Sequence, residues 1–317
     1  MKKILLLGIA LIIGLTSSPV SVSHAVWIWT PETRKWINPK YAVKENPEKQ
    51  FAQAEGLFQN KEYEKAIAEY RKLIKNYPDS AYAPRSQYAI GASYEALGKY
   101  YRAVEEYQKV IDNYPSSNKV ADIVESQYRL GNFLFGEEIK SKLKKAFVES
   151  NYEKAAKAYQ LVIKNAPYSK RAAEVQYRIG LSYRKQGNFP EAISEYQKVI
   201  DNYPKSPWVE KAYYDIGLSY LSQLIPTLYD QTRTDSALKQ FQEFRKRFPD
   251  SKLTGEVEKK IKFLKKRKAK RLYQIAQFYE KGGSLQAARI YYQEVIDKYP
   301  ASDWGMLSRE RLSELEK

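Results

Sequence analysis

The fold is decided by residues 176–206, which read QYRIGLSYRKQGNFPEAISEYQKVIDNYPKS. Ala192, Tyr196 and Val199 in this stretch are spaced four and three residues apart, which places their side chains on one face of a helix. Gly180 lies in an earlier helix, and glycine inside a helix costs about 1 kcal/mol relative to alanine. A glycine there indicates that the two helices pack closely. The stretch therefore predicts a pair of amphipathic helices.

The same spacing of proline, alanine and aromatic residues recurs along the chain. Each unit ends in a proline, which cannot continue a helix, and a serine two residues later can cap the next helix. The prolines are Pro78, Pro115, Pro167, Pro204, Pro249 and Pro300. At a constant distance before each proline stands an alanine, followed by an aromatic residue four positions later. The alanines are Ala66, Ala103, Ala155, Ala192, Ala237 and Ala288. The aromatic residues are Tyr70, Tyr107, Tyr159, Tyr196, Phe241 and Tyr292.

Small residues also recur in the first helix of each unit. They are Gly91, Gly131, Gly180 and Gly217, with Ala54 and Ala276 in the first and last units. Glycine, then alanine, aromatic and proline at these intervals resembles the tetratricopeptide repeat (TPR). The resemblance covers residues 47–317 and implies an all-α fold, a right-handed superhelical solenoid of about six helical hairpins. We expect repeat ends near residues 80, 117, 169, 206, 251 and 302.

Two units carry predicted insertions between their helices, at residues 136–150 and 223–235. A basic helical stretch at residues 256–271 precedes the sixth unit.

The first 25 residues predict a secretory signal peptide. Two lysines precede an apolar run at residues 4–15, and small residues, Ser23 and Ala25, suit a signal-peptidase site. The apolar run is shorter than the roughly 20 residues that a membrane span needs, which favours cleavage over an anchor. Residues 26–46 form a separate tryptophan-rich segment.

Composition excludes several classes of chemistry. The chain has 317 residues, a formal net charge of +17, no cysteine and one histidine, His24. Thiolate nucleophiles, iron–sulfur clusters and histidine-based metal sites are therefore excluded. No glycine-rich phosphate loop or nucleophile motif is present. We expect no catalytic residues, no cofactor and no metal, and a protein that is not an enzyme. Export argues against a nucleic acid partner despite the positive charge.

A narrower resemblance rests on the first helices. Gln-Tyr-x-x-Gly occurs at residues 87–91, 127–131 and 176–180. The chain also contains the sequence YQKVIDNYP at residues 196–204 and a tryptophan-rich segment at residues 27–39. These features resemble the BamD (ComL) family of outer-membrane assembly lipoproteins. The resemblance implies a non-enzymatic scaffold that binds assembly subunits or unfolded outer-membrane proteins. The family carries a lipidated cysteine, and this sequence has none. We therefore expect an exported periplasmic protein, peripheral to the outer membrane, with no encoded lipid anchor.

Two alternatives stay open. One is a periplasmic TPR adaptor resembling the CpoB (YbgF) type, which coordinates cell-wall and envelope growth. Those proteins resemble trimers built on an N-terminal coiled coil, and no apolar heptad precedes the first repeat here. The other is a periplasmic enzyme that uses the repeats to position its substrate, which a carboxylate in apolar surroundings inside the groove would favour.

Three sets of residues are candidates for binding. An aromatic residue stands three residues before each glycine position. These rings form either a ladder that binds an extended peptide or partner helix, or a set of packing contacts between neighbouring repeats. The predicted groove residues are Phe51, Tyr88, Tyr128, Tyr177, Tyr214 and Tyr273, with Arg184 and Lys185 as polar neighbours.

A basic patch predicts contact with an anionic membrane surface or an acidic protein, against the alternative of a solvated helix face. Its residues are Lys259, Lys260, Lys262, Lys265, Lys266, Arg267, Lys268, Lys270 and Arg271. Trp27, Trp29 and Trp36 predict a docking arm or a cap on the first repeat.

Overall fold

The computed structural model describes residues 28–30, 35–37, 42–136, 145–224 and 232–315. The predicted signal peptide and the central parts of both predicted insertions, residues 137–144 and 225–231, lie outside the described residues. Within those ranges the chain forms thirteen helices and one short antiparallel hairpin.

The first helices of the array follow one another closely. They are α1 (Pro47–Gln59), α2 (Tyr63–Asn76), α3 (Tyr82–Ala96), α4 (Tyr100–Asn113), α5 (Val120–Gly136), α6 (Lys145–Asn165) and α7 (Ala172–Lys185). The remaining helices are α8 (Phe189–Asn202), α9 (Trp208–Ser222), α10 (Thr232–Arg247), α11 (Thr254–Lys281), α12 (Leu285–Lys298) and α13 (Asp303–Leu315). Each helix packs on its neighbours in sequence. The result is six helical hairpins followed by α13, which confirms the predicted repeat fold.

The predicted apolar stripes form the core. All six stripe alanines are fully buried, and the aromatic residue that follows each one is at most 2% exposed. The glycines of the first helices lie directly against these rings. A Cβ atom built on Gly91 would lie 2.6 Å from the ring of Tyr107, and one on Gly217 would lie 2.6 Å from the ring of Phe241. Close helix packing, predicted from the glycines, is therefore confirmed.

The glutamine of each Gln-Tyr-x-x-Gly phrase is buried and bonds to another helix. The side-chain amide of Gln87 donates to the backbone oxygen of Glu106 at 3.1 Å and to its carboxylate at 2.8 Å. Gln50 makes the same two bonds to Glu69, at 3.2 and 2.8 Å. The bonds of Gln87 and Gln50 fasten the first helix of a hairpin to the second, a role not expected from the sequence. The amide of Gln127 instead donates to Gln108 of the preceding hairpin, at 2.9 Å.

Helix α11 differs from the other helices because it serves two hairpins. Its first half buries Val257, Ile261 and Leu264 against α10, and its second half buries Tyr273 and Ala276 against α12. No glycine or proline occurs in residues 256–281, so nothing in the local sequence ends the helix between these two contacts. The basic stretch predicted before the sixth unit is thus continuous with that unit's first helix.

A short hairpin lies outside the helical array. Strands β1 (Ile28–Thr30) and β2 (Lys35–Ile37) pair in antiparallel fashion with Trp29 opposite Trp36. This hairpin is a small addition to the predicted all-α fold. No helix in the described ranges is long and apolar enough to cross a membrane.

Candidate protein-binding groove

An open groove of about 860 Å³ lies between α3 and α5. We call it the α3–α5 groove. Its lining comprises Tyr88, Ala92, Glu95 and Ala96 from α3, Tyr100 and Tyr107 from α4, and Ser126, Arg129, Leu130, Asn132 and Phe133 from α5. Tyr88, three residues before Gly91, occupies the position of the predicted aromatic ladder, and Ala92 and Glu95 lie on the same face of α3.

An ion pair crosses the groove and joins the second hairpin to the third. The guanidinium of Arg129 donates to both carboxylate oxygens of Glu95, at 2.6 and 3.0 Å, and the hydroxyl of Tyr107 donates to Glu95 at 3.2 Å. The hydrogen bonds to Glu95 raise the pKa of Arg129. The Arg129 side chain remains 55% exposed, so it can still meet a carboxylate or backbone carbonyl of a partner.

Aromatic surface lies next to this ion pair. The rings of Tyr100 and Phe133 are 4.2 Å apart, and Phe133 is 45% exposed. Large rings with polar neighbours are typical of surfaces that bind extended peptide segments or partner helices. Arg129 and Phe133 were not among the groove residues predicted from the sequence, because that prediction used a single position of the repeat, three residues before each glycine. The signal that could have found them is their spacing, which places both on one face of α5.

The six predicted ladder rings each pack on the aromatic residue of the second helix in the same hairpin. The ring centroids are 5.6 Å apart for Phe51 and Tyr70, 5.1 Å for Tyr88 and Tyr107, 6.5 Å for Tyr128 and Tyr159, 5.3 Å for Tyr177 and Tyr196, 6.2 Å for Tyr214 and Phe241, and 5.4 Å for Tyr273 and Tyr292. The ring position therefore joins the two helices of each hairpin.

Residues of the helix that follows each hairpin cover several of these rings. Tyr177 lies 4.9 Å from Trp208, and Tyr273 lies 5.2 Å from Trp304. Phe51, Tyr177 and Tyr273 are buried, whereas Tyr88, Tyr128 and Tyr214 remain half-buried. Tyr88 lines the α3–α5 groove. The ladder as a continuous binding surface stays a prediction, and only its half-buried rings are accessible to a partner.

Of the two polar neighbours, Arg184 is half-buried and Lys185 is exposed. Arg184 lies 3.4 Å from the carboxylate of Asp215, which also accepts a hydrogen bond from the Tyr177 hydroxyl at 2.5 Å. Burial raises the pKa of Asp215, and the bond from Tyr177 and the charge of Arg184 oppose that rise. Asp215 is 5% exposed. With both partners in place it forms a structural ion pair between α7 and α9.

The side chains of the predicted basic patch fall into two groups, those that are paired or half-buried and those that are exposed. Lys260 pairs with Glu256 at 3.1 Å, and Lys268 pairs with Asp235 at 2.5 Å. Lys270 lies 5.7 Å from the ring centroid of Trp304. Arg267 and Arg271 are half-buried, while Lys259, Lys262, Lys265 and Lys266 are exposed. Val257, Ile261 and Leu264 of the same helix are buried against α10, so only part of the patch faces solvent.

The predicted N-terminal tryptophans form a small cluster of their own. The rings of Trp29 and Trp36 are 5.8 Å apart in an edge-on arrangement, and these residues are 46% and 62% exposed. Trp27 lies outside the described residues. Docking arm and cap both stay predictions for this segment.

These features define a helical-repeat protein with an open, aromatic-lined groove, a class that works by recognition. The tetratricopeptide repeat profile matches residues 50–80 and 85–117. The profile of the YfiO family, described as outer membrane lipoprotein, matches residues 136–313, more than half of the chain. The chain belongs to this family, the BamD family of lipoproteins.

Other comparisons show similarity at low identity. A fragment of MamA from Desulfovibrio magneticus RS-1 is 19% identical, with 66% of this chain and 100% of that chain covered and a TM-score of 0.30. A tetratricopeptide repeat protein from Parabacteroides merdae ATCC 43184 is 13% identical, with 86% and 99% covered and a TM-score of 0.32. A thermophilic TPR protein from Thermus thermophilus is 16% identical, with 68% and 99% covered and a TM-score of 0.31. A search of the curated proteins found no match.

Proposed function

We propose that this protein is a non-enzymatic scaffold of the periplasm, peripheral to the outer membrane, that aids assembly and insertion of outer-membrane β-barrel proteins. Membership of the YfiO family supports this proposal. The observation that carries it is the α3–α5 groove, where the exposed guanidinium of Arg129 lies beside the aromatic surface of Tyr100 and Phe133.

The mechanism is docking without bond chemistry. An extended or helical segment of an assembly subunit, or of an unfolded outer-membrane protein, lies along the groove. Its apolar side chains pack on Phe133 and Tyr88, and its carbonyl or carboxylate oxygens accept hydrogen bonds from Arg129. Because Glu95 holds Arg129 in place, little side-chain freedom is lost when the partner binds.

The test is an affinity pull-down from solubilised envelopes with the chain as bait, followed by mass spectrometry. We expect recovery of a BamA-like barrel protein. The double variant Arg129→Ala, Phe133→Ala should lower that recovery at least about tenfold, since buried aromatic and arginine anchors often contribute about 2 kcal/mol or more to binding. Thermal melts establish that the variant is folded.

A matched control removes the same kinds of group elsewhere. Phe278 is 73% exposed and Lys281 is exposed, both near the end of α11. The variant Phe278→Ala, Lys281→Ala should recover the barrel protein as well as the natural sequence does. Recovery of cell-division or Tol-type proteins without the barrel protein would contradict the assembly role and favour the adaptor alternative.

A further inference from the structure

A second cavity lies where α11 passes between the fifth and sixth hairpins. Its volume is about 520 Å³. We call it the α11 cleft. Arg245 lines it from α10, and Glu258, Ile261, Lys262, Lys265 and Lys266 line it from α11. The opposite wall is residues 298–303, where α12 turns into α13. The cleft exists because α11 is long enough to hold α10 and α12 at different places along its length.

The charges of the cleft do not cancel. Five of its side chains are basic and two are acidic. Glu258 is paired with Arg245 at 2.9 Å, and Asp303 with Lys266 at 2.6 Å. The hydrogen bond from Lys266 holds the pKa of Asp303 below its ordinary value, so this carboxylate stays ionised and paired.

Two lysines of the cleft are left without a directly bonded counter-charge. Lys262 and Lys265 are exposed and form no hydrogen bond or ion pair with any residue in the described ranges. Lys298, at the opposite wall, pairs with Glu294 at 2.6 Å. An anion that enters the cleft would therefore meet two ammonium groups that are not hydrogen-bonded to any carboxylate of the described residues, and the charge of Lys262 acts on Asp303 only through space.

The chemistry of these groups favours a phosphate over a protein carboxylate. Ammonium groups are compact point charges that suit phosphate oxygens, whereas planar recognition of carboxylates is the usual task of arginine. The one arginine of the cleft, Arg245, is already engaged by Glu258.

The outer face of α11 indicates where such a phosphate is held. Phe263 is 55% exposed, and Lys259, Lys266 and Lys270 stand four residues before it and three and seven residues after it. These positions share one face of the helix. An exposed aromatic ring among lysines is typical of helices that lie at the boundary between lipid headgroups and acyl chains. A purely soluble acidic partner does not account for the exposed ring.

We propose that the α11 cleft binds the phosphate of an anionic phospholipid, with the ammonium groups of Lys262 and Lys265 on its oxygens and Phe263 at the bilayer surface. The proposal does not depend on the partner of the α3–α5 groove. It assigns a membrane-contact site to the junction of the fifth and sixth hairpins.

The test is co-sedimentation of the full chain with phosphatidylcholine vesicles that do or do not contain phosphatidylglycerol. The double variant Lys262→Ala, Lys265→Ala should bind the anionic vesicles on the order of thirtyfold more weakly, because each lysine near an anionic surface contributes about 1 kcal/mol. A matched variant, Lys239→Ala, Lys252→Ala, removes the same charge from exposed positions outside both the cleft and the Phe263 face. It should lose at most a few-fold in binding.

Further arms distinguish the source of the anion. Phe263→Ala should weaken vesicle binding without changing the affinity for inorganic phosphate, measured by titration calorimetry. Equal losses in the two double-lysine variants would overturn the cleft as a site, because they would indicate diffuse charge attraction. Binding of inorganic phosphate or of a poly-glutamate peptide, together with no binding of anionic vesicles, would overturn the assignment to a lipid.

Discussion

At the scale of single residues, the packing of each hairpin depends on one glycine beneath one ring. Gly91 faces the ring of Tyr107, a residue that is 2% exposed and whose hydroxyl donates a hydrogen bond to Glu95 at 3.2 Å. We expect Gly91→Ala to lower the free energy of unfolding by about 1–3 kcal/mol, because the added Cβ overpacks the interface. Denaturant unfolding followed by circular dichroism measures this.

Gly56 provides the matched control for that prediction. It also lies within a helix, α1, but a Cβ built on it meets nothing within 4 Å. Gly56→Ala should therefore raise stability by up to about 1 kcal/mol through helix propensity alone. If the two alanine variants shift stability in the same direction, close packing is not the reason for the recurring glycines.

Glu106 predicts a pH dependence of stability. It is buried, and although burial raises its pKa, the bonds from Gln87 and Lys109 and the charge of Arg71 together hold the pKa below the ordinary 4.5. A lowered folded-state pKa contributes stability above pH 4.5 that is lost as the pH falls through the folded value. We expect Glu106→Gln to cost about 1–3 kcal/mol at neutral pH.

The cost of Glu106→Gln should shrink below pH 4.5, where the natural carboxylate is also becoming protonated. Denaturant unfolding at a series of pH values gives both curves. The neighbouring Glu105 is exposed, and Glu105→Gln should change stability little at any pH. A constant difference between the natural chain and Glu106→Gln across the acid range would contradict the assigned role of the charge.

At the scale of elements, α11 is one rigid helix that serves two hairpins. Lys266 lies between the contact with α10 and the contact with α12, and its side chain is 60% exposed. Lys266→Pro should break the helix at this point, at a cost of about 3 kcal/mol or more. Among the described residues, α11 makes the main contact between α10 and the sixth hairpin, so we expect α12 and α13 to open first.

Hydrogen exchange with mass spectrometry measures that local opening. Amides of α12 and α13 should exchange faster in Lys266→Pro, while those of α3 and α4 should keep their natural rates. Lys266→Ala removes the ion pair with Asp303 but not the helix, and it should leave all four helices unchanged. Faster exchange along the whole chain would show that the array unfolds as a single unit.

The sequence predicted the hairpins but not the long helix. Proline and the stripe of Ala, aromatic and apolar residues are local signals, so turns and core faces could be placed without knowing the fold. The continuity of α11 could not be predicted from the sequence. Pro249 marks the end of the fifth unit and Ala276 belongs to the first helix of the sixth, so the two positions suggested two separate helices. The bond from Gln87 to Glu106 was also hidden, since each partner looks like an ordinary polar helix residue until the helices are paired.

The α3–α5 groove could be predicted only in part for the same reason. Tyr88 was expected to face a groove because it stands three residues before Gly91, the position of the predicted ladder, and it lines the α3–α5 groove. Arg129 and Phe133 belong to the next hairpin, and their meeting with α3 depends on how one repeat is rotated against another. That rotation follows from contacts between helices rather than from the repeat's own periodicity.

At the scale of the whole molecule, the two proposed sites lie on different hairpins and share no residue. In a repeat array each repeat contacts only its neighbouring repeats, so sites on distant repeats should act independently. We therefore expect the groove variant Arg129→Ala, Phe133→Ala to lose the barrel protein and keep vesicle binding. The cleft variant Lys262→Ala, Lys265→Ala should do the reverse. In the combined variant, each loss in binding free energy should equal that of its double variant within about 0.5 kcal/mol. Quantitative pull-down and vesicle co-sedimentation on the same preparations measure both losses. A larger deviation would mean that lipid contact and partner binding are coupled through the fourth and fifth hairpins, and the sites would then have to be treated as one.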